Sequence, residues 1–294
     1  MTSTNLKIGV ILLFQMIIGI LGNFSLLCHY IFLYLSGCRS RSTDFILRHL
    51  TVANILVILS RGIPETMVAF GLENFLSDFG CILVFYVHWV GKGVSFGSTC
   101  LLSVFQAIII SPRNSKWSDF KVKAPKYVSN SNILCWILHL LVNLIASVHV
   151  TGKLENTNIT MKTDFGYCST SFLDEVLYSL SAALLSIPDV LCLGLMLWAS
   201  GSMVFILHRH KQRVQHIHST NVSSRSSPET RAAHSILVLV STFVCFYTLS
   251  FSIRVCLAFF YDSNRLLITL SALINACFPT VCPFVLMSRE CSVF

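Results

Sequence analysis

Apolar and polar positions alternate along this chain on the scale of whole helices. Seven predominantly apolar runs, at about 8–35, 45–70, 81–110, 132–150, 175–207, 233–260 and 266–287, are separated by polar connectors. A helix of about 20 apolar residues, rising about 1.5 Å per residue, crosses a hydrocarbon core of about 30 Å. The pattern therefore predicts an all-α membrane protein, a seven-transmembrane helical bundle. No repeat of 20–50 residues is visible, so residues 1–294 read as one domain. The second run, interrupted by Arg61 and Glu65, and the short fourth run carry the weakest apolar signal.

The run from Gly80 to Arg113 is the one around which the rest is arranged. It opens beside Cys81, ends at Pro112-Arg113, and holds Lys92 eleven residues past the cysteine. That spacing puts Lys92 roughly 16 Å along a helix, near mid-membrane, where a charge marks a functional site by default. Glu65 lies one turn from Arg61, so an i, i+4 pair is available, and His88 lies one turn from Lys92. Arg254 falls in the outer half of the sixth run, and Asp189 follows Pro188 in the fifth. Two arrangements stay open: a water-accessible cavity open to the outside and lined by Glu65, His88, Lys92 and Arg254, or an interhelical salt-bridge network such as Glu65 with Lys92. Pro188, Pro279 and Pro283 each remove a helical hydrogen bond and predict kinks.

Composition strengthens the membrane reading. Apolar residues make up 54% of the chain and charged residues 12%, with a mean hydropathy of +0.72; soluble domains average about 45–50% and about 25%. A formal net charge of +8 raises the question of nucleic acid. The basic residues instead sit in short segments between apolar runs, with no stacking or groove-binding motif, so no nucleic-acid partner is expected. They set topology, because basic flanks stay in the cytoplasm. With the N-terminus outside, fourteen Lys and Arg lie in inner segments (among them Arg113, Arg209, Lys211, Arg213 and Arg231) and only Lys7, Lys153, Lys162 and Arg265 lie in outer ones. The expected orientation is N-terminus outside, C-terminus cytoplasmic, with the long first run acting as its own insertion signal.

Two outer features fit that orientation. The sequon Asn158-Ile159-Thr160 falls in an outer connector and is a glycosylation candidate, whereas the sequons at Asn23 and Asn221 fall within a span and in the cytoplasm. Of the twelve cysteines, Cys81 and Cys168 are the two clearly placed at the oxidising outer face, and a disulfide between them is expected. Most others lie in apolar runs as small apolar side chains, with no CxxC pair. The histidines at 208, 210, 216 and 218 read as part of a solvated loop, so no metal is expected. On the inner side Ser226-Ser227-Pro228-Glu229 is a helix-start signature, placing the foot of the sixth helix, with Arg231, below the membrane. No phosphate loop, HExxH, GxSxG or facing carboxylate pair appears, so neither enzyme activity nor a cofactor is expected.

The detailed wording narrows the family. His49-Leu50-Thr51-Val52-Ala53-Asn54, Cys100-Leu101-Leu102-Ser103-Val104-Phe105-Gln106-Ala107, Ile110-Ser111-Pro112-Arg113, Lys123-Ala124-Pro125-Lys126, Pro188-Asp189-Val190-Leu191, His208-Arg209-His210-Lys211, Ser227-Pro228-Glu229-Thr230-Arg231 and Phe278-Pro279-Thr280 together resemble the vomeronasal type 1 receptor family, over nearly the whole chain. The resemblance implies a pheromone receptor, a G-protein-coupled receptor of the plasma membrane, surrounded by lipid and coupled to an inhibitory-class heterotrimeric G protein. It implies a small organic pheromone or odorant bound between the second, third, fifth, sixth and seventh spans, and an inner surface presenting Arg113, Arg209, Lys211, Arg213 and Arg231. Phe105-Gln106-Ala107 stands where common receptors have Asp-Arg-Tyr, and Cys282-Pro283-Phe284-Val285-Leu286 replaces Asn-Pro-x-x-Tyr, so their ionic lock cannot operate. Seven residues follow Met287, so no eighth membrane-lying helix is expected and surface expression is expected to be weak. The alternatives are a bitter-taste-like receptor and a small secondary transporter using Glu65, Lys92 and Arg254 as an ion path.

Overall fold

A computed structural model describes residues 3–37, 42–111, 118–147, 150–151, 161–172, 175–217, 228–259 and 265–291. Among these are seven helices: α1 (Ser3–Leu35), α2 (Ser42–Ala69), α3 (Asp78–Ile110), α4 (Ser118–Ser147), α5 (Glu175–Ile217), α6 (Pro228–Phe259) and α7 (Arg265–Cys291). Five of them, α1, α2, α3, α5 and α7, are long and apolar enough to cross a membrane over their described residues; α6 contributes a shorter apolar segment, Ile236–Ser250. The polar start of α4, with Lys121, Lys123 and Lys126, and its asparagines at 130, 132 and 143 dilute its apolar character.

Local chemistry sets the helix ends. Ser77 caps α3, its hydroxyl accepting from the Gly80 amide at 3.3 Å, with Asp78 in the first turn. At the end of α2, Gly71 adopts φ +94°, its amide bonds the Val68 carbonyl, and the Leu72 amide reaches back to Met67 at 3.0 Å. This closure needs a left-handed residue, which glycine adopts without a Cβ penalty. α6 opens at Pro228, as its serine-proline-acid signature predicts.

α3 is the axis of the bundle, packing against α2, α4, α5 and α6. Its apolar window is 72% buried, against 28% for α1 and 17% for α5, so α1 and α5 turn most of their apolar surface outward. Glycines make the close approaches. A Cβ on Gly91 would meet the Ala53 carbonyl and Leu56 of α2, while Cβ atoms on Gly93 and Gly97 would fall on the His139 ring and the Cys135 sulfur of α4. Small residues at such positions let membrane helices gain van der Waals contact, their main attraction in lipid. The largest apolar cluster joins Leu26, Ile46, Leu50, Phe96, Met196 and Ile236 with others, drawing on all seven described helices.

One element is absent from the apolar pattern. The connector between α4 and α5 forms a three-stranded antiparallel sheet, ordered β1-β3-β2, from β1 (Val150–Thr151), β2 (Met161–Asp164) and β3 (Ser169–Phe172). Its strands are two to four residues long with one apolar residue each, so they carry no run of alternating apolar residues.

Candidate functional site

The end of the bundle where α3 begins is built on the expected disulfide. Cys81 at the top of α3 is bonded to Cys168 at the base of β3, 87 residues away, with Cα atoms 5.8 Å apart. The turn between β2 and β3 closes with the Phe165 amide on the Cys168 carbonyl, Gly166 at φ +83°, and Asn74 donating its amide to the Gly166 carbonyl. That turn drives Tyr167 and Phe165 against Phe85 of α3, with ring centroids 6.1 and 5.1 Å away. Tyr167 is fully buried, and burial holds its phenol above the ordinary range, with Glu65 pushing the same way and Arg61 opposing.

Arg61 links this plug to the bundle. Its guanidinium carbon lies 5.6 Å from the Phe165 ring centroid, and its Nε donates to Glu65 Oε1 at 3.3 Å, forming the i, i+4 pair foreseen in the sequence. Glu65 is 4% exposed, so a partnered carboxylate is what the apolar surroundings require.

Beneath lies a chain of polar contacts through four helices. Pro283 has no amide hydrogen to give the Pro279 carbonyl one turn earlier, and that freed acceptor is met by Asn23 Nδ2 of α1 at 2.8 Å. Asn54 Nδ2 of α2 reaches Asn23 Oδ1 at 3.4 Å, and Ser95 of α3 donates to Asn54 Oδ1 at 2.8 Å. Asn23 is therefore fully buried and committed to partners within the bundle. Replacing Asn23 with alanine is expected to strand the Pro279 carbonyl and destabilise the bundle by about 1–3 kcal/mol, read as a lower melting temperature of the solubilised protein.

Two cavities open above this chain, sharing Val57 and Asn275. One, about 20 Å³, lies among α1, α2, α3 and α7 and is lined by Gln15, Arg61, Glu65 and His88. The other, about 40 Å³, lies among α2, α3, α5, α6 and α7 and is lined by Lys92, Asp189, Ser250, Asn275 and an aromatic wall. Phe96, Phe243 and Tyr247 stack there, with Phe96 4.8 Å from Phe243 and 5.0 Å from Tyr247, while Phe278 meets Phe243 edge-on at 4.6 Å. Lys92 Nζ lies 3.4 Å from Asn275 Oδ1 and 5.5 Å from the Tyr247 centroid, and the Tyr247 hydroxyl donates to Asp189 Oδ2 at 2.8 Å.

The four expected cavity residues are thus divided. Glu65 and His88 line the first cavity, His88 Nδ1 lying 3.5 Å from Ser60 Oγ, and Lys92 lines the second. Arg254 lies on α6 with its side chain outside the described residues. Lys211 and Arg213 on α5 and Arg231 on α6 are in the same position, Arg209 is exposed on α5, and Asn158 and Arg113 lie outside the described residues. Asp189, noted in the sequence but not placed in the expected cavity, and Asn275, which the sequence reading did not single out, both belong to the site; a polar residue inside an apolar run was the available signal for both.

Comparison with known proteins identifies the scaffold. The model of the vomeronasal organ pheromone receptor family matches residues 6–294. Vomeronasal type-1 receptor 4 of Homo sapiens is 56% identical over the whole chain and 97% of its own length. Vomeronasal type-1 receptor 2 of Homo sapiens is 61% identical over 95% of the chain and 70% of that receptor. Olfactory receptor class A-like protein 1 of Danio rerio is 30% identical over 96% of the chain and 89% of that protein. With its helical bundle, Cys81–Cys168 disulfide and full-length similarity, the chain belongs to the vomeronasal type-1 receptor family, and so is a receptor rather than an enzyme.

Proposed function

We propose that this receptor spans the plasma membrane seven times, N-terminus outside and C-terminus cytoplasmic, binds a small organic pheromone or odorant from the outside, and activates an inhibitory-class heterotrimeric G protein. The observation that carries this reading is the aromatic cavity beneath the disulfide-pinned loop, bordered by α2, α3, α5, α6 and α7. Its volume of about 40 Å³ holds about three waters, at about 10–15 Å³ each. An organic ligand therefore enters by parting the stack of Phe96 on α3 from Phe243 and Tyr247 on α6. Binding and α6 displacement are then one event, and the ligand favours the arrangement in which that stack is open. The inner ends of α5 and α6 carry Arg209, Lys211, Arg213 and Arg231, which with Arg113 offer a basic surface to the G protein.

Ligand-stimulated nucleotide exchange on an inhibitory-class G protein, in membranes with confirmed surface receptor, tests the reading. A response to a mixed panel of volatiles and steroids is expected; silence from well-expressed receptor across that panel counts against it. Epitope tags on the two termini are expected to stain on opposite sides of the membrane, and staining on one side would sink the seven-span topology. Asn158→Gln is expected to abolish a glycosidase-sensitive shift in mobility, and a shift that persists would place the glycan elsewhere.

A further inference from the structure

Asp189 is an acceptor set in an apolar helix, and its donor comes from a neighbouring helix. It lies half-buried on α5 and lines the larger cavity. Among the described residues, the donor to its carboxylate is the Tyr247 hydroxyl of α6, at 2.8 Å. The Tyr247 ring is also part of the aromatic stack, 5.0 Å from Phe96 with the planes 9° apart and 5.9 Å from Phe243. Ring and hydroxyl move together, so parting the stack also takes the phenol away from Asp189. A carboxylate accepts hydrogen bonds and donates none, and leaving it without a donor beside an apolar wall is costly. The group that restores the bond must be a donor, and the one it replaces is a neutral hydroxyl.

Building on the receptor reading above, in which ligand entry parts this stack, we infer that the cavity takes an alcohol or phenol with an otherwise apolar body. The ligand hydroxyl replaces that of Tyr247 on Asp189, and the hydrocarbon lies against Phe96, Phe243, Phe246 and Phe278, which line the same cavity. Asp189 determines the specificity. A hydrocarbon or a ketone opens the stack and leaves the carboxylate without a donor, whereas an alcohol exchanges one hydroxyl for another. An ammonium carries a larger desolvation cost into the aromatic wall than a hydroxyl does. Tyr247 is the built-in competitor: its hydroxyl ties α6 to α5 until the ligand takes its place.

The test uses full-length receptor in lipid nanodiscs with four probes of one skeleton: undecan-2-ol, undecan-2-one, undecane and 2-aminoundecane. Affinity is read from thermal stabilisation and signalling, separately, from nucleotide exchange. Undecan-2-ol is expected to bind about tenfold or more tighter than the ketone and the alkane, the worth of a hydrogen bond to a charged acceptor, and tighter than the amine. Asp189→Leu is expected to erase the preference for the alcohol. Tyr247→Phe keeps the ring and its stack but removes the competing hydroxyl, so each probe is expected to bind about tenfold tighter than to the unmodified receptor, the alcohol still first. A ketone that binds as tightly as the alcohol, as it would if Lys92 of the same cavity held the ligand, overturns the inference. So does tighter binding of the amine, an alcohol preference that survives Asp189→Leu, unchanged or weaker binding to Tyr247→Phe, or no stabilisation by any probe. Alcohol binding that depends on Asp189 without nucleotide exchange would leave the inference standing and defeat the G-protein reading instead.

Discussion

Replacing Cys168 with serine is expected to abolish ligand-stimulated signalling and to remove most receptor from the cell surface. The disulfide closes a segment of 87 residues, and loss of a native disulfide typically costs about 2–5 kcal/mol. The figure here lies toward the lower end, because α3 and α4 still pack against each other when the bond is absent and limit the freedom regained. The functional loss exceeds the stability loss for a structural reason. Cys168 adjoins Tyr167, and that turn places Tyr167 and Phe165 against Phe85 and sets Phe165 under the Arg61 guanidinium. Without the bond the described ties of the plug, among them the Asn74–Gly166 backbone contact, the Arg61–Phe165 contact and ring packing, are all non-covalent. Surface labelling separates the two effects: a variant that reaches the surface in normal amount and signals normally would show that the plug needs no covalent anchor.

Substitution at Gly93 is expected to be the most damaging single change within the bundle. A Cβ there would coincide with the His139 ring, whose near atoms include Cγ, so the ring cannot avoid it by a small end movement and must change rotamer or α4 must retreat. Overpacking of this kind costs about 1–3 kcal/mol, and here it also loosens neighbouring ties between α3 and α4: Ser98 to Asn132 at 3.0 Å and Tyr86 to the Leu140 carbonyl. Gly93→Ala is therefore expected to lower the melting temperature of the solubilised receptor sharply. The double variant Gly93→Ala with His139→Ala is expected to recover much of that loss, because the added and removed atoms occupy the same space. A double variant whose loss equals the sum of the two single losses would show that the sites do not touch.

Several features were legible because they are local. Arg61 and Glu65 are one turn apart, so any helix through them brings the two side chains together, and the pair forms. The pairing of Cys81 with Cys168 followed from compartment, since the oxidising face narrowed the choice. The split between His88 and Lys92 was not legible. One turn apart on α3, they line different cavities, because the boundary between those cavities is drawn by Val57 of α2 and Asn275 of α7. Glu65 pairs with Arg61 on its own helix at 3.3 Å, a partner the spacing already offered. The loop sheet left no trace in the apolar pattern, because strands of two to four residues, with one apolar residue each, present too short a period to detect.

By itself the sequence determined the helices, their capping and the family, because apolar length, turn residues and motif wording are properties of contiguous residues. It also fixed where unusual groups occur: an asparagine, an aspartate or a lysine in an apolar run announces that a partner is needed. Only the tertiary structure decided the partners. The Pro279 carbonyl is freed by Pro283 in its own helix, yet its donor, Asn23, comes from the other end of the chain. Lys92 finds Asn275 across 183 residues, and Asp189 enters the same cavity from α5. A helix's sequence states the cost of burying each polar group, whereas the neighbour that meets it depends on which helices pack together and at what rotation.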